Sequence, residues 1–209
     1  NNIMLLIIFI FGLIYGSFIN VIIFRLPQNL SVISPRSFCP KCKKTIPFYN
    51  NIPLLSFILQ KGKCFSCKHA ISIQYPLIEL LLGIISLLSY KFLFLPELLF
   101  FLLISGLLIS IIVIDYRYFI IPFELIISIA IICIPYIIYF SNWEYHIYGM
   151  FIGIGYLSFV FIFTWAITKK QPLGYGDLQL ILILGLWLGP LKILLTIFLG
   201  SILGIIYWI

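Results

Sequence analysis

At 209 residues, 63% hydrophobic and 9% charged, the chain carries more apolar surface than a soluble domain of this size can bury. Its net charge of +7 does not mark a nucleic-acid binder, because the Lys and Arg residues follow a membrane topology. Eight of the thirteen lie between Arg25 and Lys68, a segment without Asp or Glu, and such an excess marks a cytoplasmic loop.

The first apolar run, Ile3 to Phe24, is too long for a signal-peptide core and has no basic segment before it, so it reads as a retained helix. A polar insertion follows over about 25–75. Six more apolar helices are expected at 76–94, 97–114, 120–140, 146–167, 178–189 and 191–209, with a polar and aromatic outer turn at Ser141-Asn142-Trp143-Glu144. The chain stops at Ile209 inside an apolar stretch, which leaves a further helix open. The expected architecture is an all-α polytopic membrane protein, a bundle of about seven transmembrane helices with a small cytoplasmic domain. Its parts are 1–24 (first helix), 25–75 (insertion) and 76–209 (helical bundle). This topology puts eleven Lys and Arg residues inside and only Lys91 and Lys192 outside. Four Gly-x-x-x-Gly pairs, Gly12/Gly16, Gly149/Gly153, Gly185/Gly189 and Gly200/Gly204, suit close helix packing.

Within the insertion, Cys39-Pro-Lys-Cys42 and Cys64-Phe-Ser-Cys67 are two Cys-x-x-Cys knuckles separated by 21 residues. Four thiolates at this spacing suit one tetrahedral zinc ion, and a reducing cytoplasmic loop disfavours the alternative of disulfides. An all-cysteine set leaves no open position for water, so the metal would be structural and would supply much of the stability of so short a segment. His69 beside the second knuckle reads as a solvated loop residue, with substitute ligand as the alternative. Cys133 reads as a small core residue in the fourth helix.

Asp115 and Asp177 are the only Asp residues, and both fall where an apolar helix meets the cytoplasmic side. Ionisable groups at such depth are functional candidates, and two carboxyls brought together share a proton, giving an acid and a base from one residue type. That is aspartic-protease chemistry. Helix capping by Asp177, pairing of Asp115 with Arg117, and a carboxylate-dependent transporter are the competing readings. Capping accounts for one residue but not for the pair, and transport gives the cysteine insertion no role.

The chain resembles the prepilin peptidase family, bacterial membrane aspartic proteases of the Gly-x-Gly-Asp type, many of which are also N-methyltransferases. The resemblance runs through Gly16-Ser17-Phe18-Ile19-Asn20-Val21, Arg25-Leu26-Pro27, Cys39-x-x-Cys42, Asn51-Ile52-Pro53, Gly62-Lys63-Cys64-x-x-Cys67 and Tyr75-Pro76-x-x-Glu79, and ends with Asp115, Ile121-Pro122 and Gly174-x-Gly176-Asp177. It implies a multi-pass protein of the bacterial inner membrane, active toward the cytoplasm, that cleaves the basic leader from type IV prepilins and pseudopilins. It further implies methylation of the new N-terminus with S-adenosylmethionine. Pilus assembly, protein secretion and competence are the implied settings; prepilin helices and membrane lipid are the implied partners. Carried over, Asp115 and Asp177 are the catalytic pair and Cys39, Cys42, Cys64 and Cys67 the zinc ligands. Glu79, with the Gly16/Ser17/Asn20 stripe, is the candidate for the cofactor pocket. Two positions depart from the family pattern: Phe123 replaces an Asp after the proline, and Gln179 replaces a Lys after the second aspartate.

Overall fold

The computed structural model describes residues 2–171 and 173–208; Asn1, Pro172 and Ile209 lie outside the described residues. The described residues form eight α-helices: α1 (Asn2–Arg25), α2 (Leu55–Leu59), α3 (Gln74–Tyr90), α4 (Leu95–Tyr118), α5 (Phe123–Phe140), α6 (Trp143–Thr168), α7 (Tyr175–Leu188) and α8 (Pro190–Trp208). Four of them, α1, α4, α5 and α6, are long and apolar enough to cross a membrane, and α3, α7 and α8 are apolar helices as well. Every apolar run therefore forms a helix.

The chain divides into two compact units, Asn1–Phe119 and Ile120–Ile209. In the first, α1 packs mainly on α3 and also on α4. Small residues set the first contact. A Cβ on Gly12 would stand 2.6 Å from the Leu82 carbonyl oxygen, and one on Gly16 would stand 2.6 Å from the Glu79 Cα. The Ser86 hydroxyl donates to the Ile8 carbonyl over 3.1 Å, and the Asn20 amide donates to the Tyr75 carbonyl over 3.0 Å. These bonds give polar groups partners where lipid would give none. On the other side of α1, the Tyr15 hydroxyl donates to the Leu103 carbonyl of α4 over 2.7 Å, with its ring against Gly106.

In the second unit, α6 packs on α7 and α8, with Gly149 and Gly185 meeting backbone to backbone. Gly189 breaks the chain between α7 and α8 at φ +77°, a conformation glycine adopts without a Cβ penalty, and Pro190 then opens α8. Asn142 caps α6 by accepting the Glu144 N–H over 3.1 Å. His146, buried in the first turn of α6, lies 2.8 Å from the Leu186 carbonyl through Nδ1 and 2.6 Å from the Ser141 hydroxyl through Nε2. Since a carbonyl can only accept, Nδ1 donates to Leu186, and Nε2 shares a hydrogen bond with the Ser141 hydroxyl. Gly200 and Gly204 meet nothing within 4 Å among the described residues, so three of the four glycine pairs lie at close helix contacts and this one does not.

Candidate functional site

The two knuckles of the insertion are copies of one backbone design, offset by 25 residues from Cys39 to Cys64. In the first, the Cys39 N–H donates to the Lys44 carbonyl, the Lys43 N–H returns to the Cys39 carbonyl, and Phe38 bridges to Thr45. In the second, the Cys64 N–H donates to the His69 carbonyl, the Lys68 N–H returns to the Cys64 carbonyl, and Lys63 bridges to Ala70. Lys43 and Lys68 both take φ +59°, a left-handed turn that curls each Cys-x-x-Cys around a common point.

The four Sγ atoms converge within 4.8 Å of one another, and all four are free thiols. Cys39 and Cys67 lie 3.8 Å apart, too far for a disulfide. Ligands about 2.3 Å from a tetrahedral metal sit about 3.8 Å from each other, so the donor set fits a zinc-sized ion. The Cys67 N–H, helped by that of Ser66, lowers the Cys64 thiol to about 7, which readies it as a thiolate ligand. Cys67 itself is pushed up to about 11. The His69 N–H favours its thiolate, but desolvation and hydrogen bonds shared with Cys64, Cys42 and Cys39 hold the proton on. His69 is exposed and contributes only its backbone to the knuckle, and Cys133 is fully buried in α5.

Arg25 anchors this domain to the end of α1. Its guanidinium is buried and donates to the carbonyls of Ser31, Val32, Pro35 and Arg36 at 2.7–3.3 Å, while lying over the Phe38 ring beside Cys39. A planar fork with five donors can satisfy four carbonyls at once, which an ammonium cannot do in this geometry.

Between the knuckles and the helices lies a cavity of about 370 Å³, lined by Ser17, Gln74, Tyr75, Glu79 and Arg117 among others. That size and its few convergent polar groups suit a small-molecule cofactor. Glu79 is buried, and its carboxylate accepts the Leu54 N–H over 2.8 Å. Leu54 needs that partner, because it stands at φ +59°, ψ −50° in a γ-turn closed by the Leu55 N–H on the Pro53 carbonyl at 2.6 Å. Such backbone costs on the order of 1–3 kcal/mol and persists only where its surroundings fix it.

Asp115 belongs to the first unit and Asp177 to the second. Helix α4 runs one turn further than the apolar pattern indicates, so Asp115 sits exposed in its last turn, its carbonyl accepting the N–H of Phe119 in the left-handed cap. Helix α7 begins at Tyr175, which puts Asp177 at its third position, half-buried. Its Oδ2 accepts the Gly174 N–H over 3.1 Å, and no hydrogen bond from the described residues engages Oδ1. A Cβ on Gly176 would press on Ile121 at 3.1 Å, so the Gly-Tyr-Gly-Asp turn rests on the residue that the chain reaches six positions after Asp115.

Residues 10–93 match the bacterial peptidase A24 N-terminal domain, and residues 101–209 match the type IV leader peptidase family. The chain is 31% identical to a prepilin leader peptidase/N-methyltransferase of Legionella pneumophila, across 98% of this chain and 82% of that protein. It is 34% identical to the protein of the same name from Bacillus subtilis over 98% and 82%, and 32% identical to that of Pseudomonas aeruginosa over 93% and 78%. This chain belongs to the type IV leader peptidase family. No solved structure matches it. Membership, with four spanning helices, makes it a multi-pass membrane protein of a peptidase family. The boundary at residue 93 falls just before α4, so the cysteine domain, Glu79 and most of the cavity lining lie within the N-terminal match, while Arg117 and Tyr118 of the lining lie within the second. Sequence reasoning missed Leu54 and the role of Arg25. The only signal for either was the short motif containing it, Asn51-Ile52-Pro53 just before Leu54 and Arg25-Leu26-Pro27.

Proposed function

We propose that this chain is an aspartic endopeptidase that removes the basic leader from type IV prepilins and pseudopilins at the cytoplasmic boundary of the bacterial inner membrane. The observation that carries the reading is the placement of its only two Asp residues in a leader-peptidase chain: Asp115 in the last turn of α4 and Asp177 in the first turn of α7. Counting α1 and α3 to α8 as seven spans, as the hydropathy and charge pattern of the sequence indicates, assigns both helix ends to the side of the basic insertion.

The ionised carboxylate of the pair draws a proton from water, and the oxygen so activated attacks the scissile carbonyl. The protonated partner gives its proton to the carbonyl oxygen, so no acyl-enzyme forms. As the tetrahedral carbon collapses, the amine leaves with a proton from the pair. The Gly174 N–H fixes Oδ2 of Asp177 and leaves Oδ1 for this exchange. Cys39, Cys42, Cys64 and Cys67 hold a structural zinc ion. S-adenosylmethionine, when bound, supplies the methyl group for the new N-terminal amine, with Glu79 and the polar residues of the 370 Å³ cavity as its binding groups. The relatives' names and the cavity's size support this second activity.

The chain reconstituted in vesicles with a prepilin tests the peptidase. Changing either Asp115 or Asp177 to Ala lowers cleavage by about 10²–10⁴-fold or more without loss of membrane insertion. Unimpaired cleavage by the Asp177→Ala protein refutes the mechanism.

A further inference from the structure

The outer surface of the insertion is not uniformly polar. Between its two knuckles, residues 48–59 form a 3-10 turn (Phe48–Asn50), the γ-turn at Leu54 and the short α2 helix, and they present six large apolar side chains outward. Phe48 is 74% exposed, Tyr49 58%, Ile52 42%, Leu55 50%, Ile58 68% and Leu59 72%. A patch this dense, in a small domain, marks a contact surface.

Its position along α1 says with what. The Leu54 N–H reaches Glu79, whose Cα lies against Gly16, and Gly16 is roughly 14 Å along the helix axis from Arg25 at 1.5 Å per residue. A surface groove beside it is lined on one side by Ile10, Ile14 and Phe18 of α1 and on the other by Phe48, Ile52 and Pro53. Those three α1 side chains are themselves 44–56% exposed on a helix long and apolar enough to span a bilayer. The finger thus hangs alongside the outward face of a spanning helix, at a depth the bilayer occupies. Much of its backbone is satisfied without water, since the N–H groups of Asn50, Asn51, Leu54, Leu55, Ser56 and Ile58 donate to acceptors within the first unit. Exposed Lys41, Lys43, Lys44, Lys61 and Lys63 flank it in sequence, with no acidic residue among them, and match anionic head groups.

We propose that residues 48–59 are a membrane-dipping finger, seated in the head-group and upper acyl region of an anionic bilayer. The surface is lipid-bound in the resting protein, whatever the chain does to peptides.

The full chain bearing Ile58→Trp, in vesicles of phosphatidylcholine and phosphatidylglycerol brominated near the head-group end of the acyl chains, tests this. Ile58 lies outside the proposed catalytic, metal and cofactor groups. Subtracting wild-type emission isolates the new tryptophan, and Lys44→Trp on the first knuckle serves as the control. Expected is a blue-shifted signal from the Ile58→Trp protein that is lost in brominated vesicles, while the Lys44→Trp signal survives. A red-shifted, unquenched signal means a water-facing finger and overturns the proposal. A blue-shifted signal that bromine does not quench means that protein, such as a second copy, covers the surface, and overturns it equally. The readout involves no prepilin, so it stands or falls apart from the peptidase reading.

Discussion

Gly16 lies against the backbone of Glu79 so closely that a Cβ would stand 2.6 Å from the Glu79 Cα, and 3.0 Å from the Ile78 carbonyl oxygen. Neither neighbour is the movable end of a side chain, so a larger residue must push α1 and α3 apart. Gly16→Ala is expected to destabilise the first unit by about 1–3 kcal/mol, the usual cost of overpacking. Gly200→Ala, where nothing among the described residues lies within 4 Å, serves as the neutral comparison. Thermal unfolding in detergent reads both. An unchanged Gly16→Ala midpoint would mean that this helix contact is looser than described.

Metal removal should act on the insertion and leave the helices in place. Among residues 37–71 only Cys39 and Cys64 are buried hydrophobics, so an ion linking the four thiolates should supply most of what holds the knuckles together. Chelation, or Cys64→Ser, should open residues 37–71 to protease while cleavage sites in the loop Ser141–Asn142 stay as they were. Bound zinc measured by atomic absorption should stand at one per chain. Acidification should promote its loss, because protons compete for the thiolates that the metal needs.

The helices were legible because hydropathy over a window of about twenty residues reports directly on what lipid will accept. Their ends were not. Asp115-Tyr116-Arg117-Tyr118 breaks the apolar pattern but not the backbone, and α4 continues through it until Phe119 turns left-handed, without a glycine to announce the stop. The same is true of the knuckles, whose shared turn falls on Lys43 and Lys68, so only the cysteines betrayed the duplication. The four thiols and the Gly-Tyr-Gly-Asp turn could be read because their chemistry is local. The finger could not. Leu54 takes its conformation from Glu79, 25 positions away, and no periodicity marks a five-residue helix.

Arg25 tests how the cysteine domain is tied to the membrane. Its fork serves four carbonyls of the 31–36 loop, and no Asp or Glu occurs from there to Lys68, so these bonds carry the buried charge. Hydrogen bonds to a charged group contribute about 1.5–3 kcal/mol each, and Arg25→Lys keeps the charge but not the fork. Expected is faster zinc loss and earlier protease cutting in 31–36, with the α1–α3 contact intact. Wild-type zinc retention in Arg25→Lys would show that charge alone suffices.

Glu79 has two duties that different substitutions separate. Its carboxylate accepts the Leu54 N–H, and it lines the cavity assigned to the methyl donor. Glu79→Gln keeps a carbonyl oxygen to which the Leu54 N–H can still donate, so the γ-turn and the finger should persist, while the ionisable group facing the cavity is lost. Methyl transfer from labelled S-adenosylmethionine to a cleaved pilin should then fall, with leader cleavage unchanged. Glu79→Ala removes both. With the Leu54 N–H unpaired beneath a strained turn, the finger should loosen, seen as faster amide exchange across residues 48–59 on top of the same methylation loss. Equal loosening in both variants would show that charge, not the hydrogen-bond acceptor, holds the turn. Full methylation in both would remove Glu79 from the cofactor site.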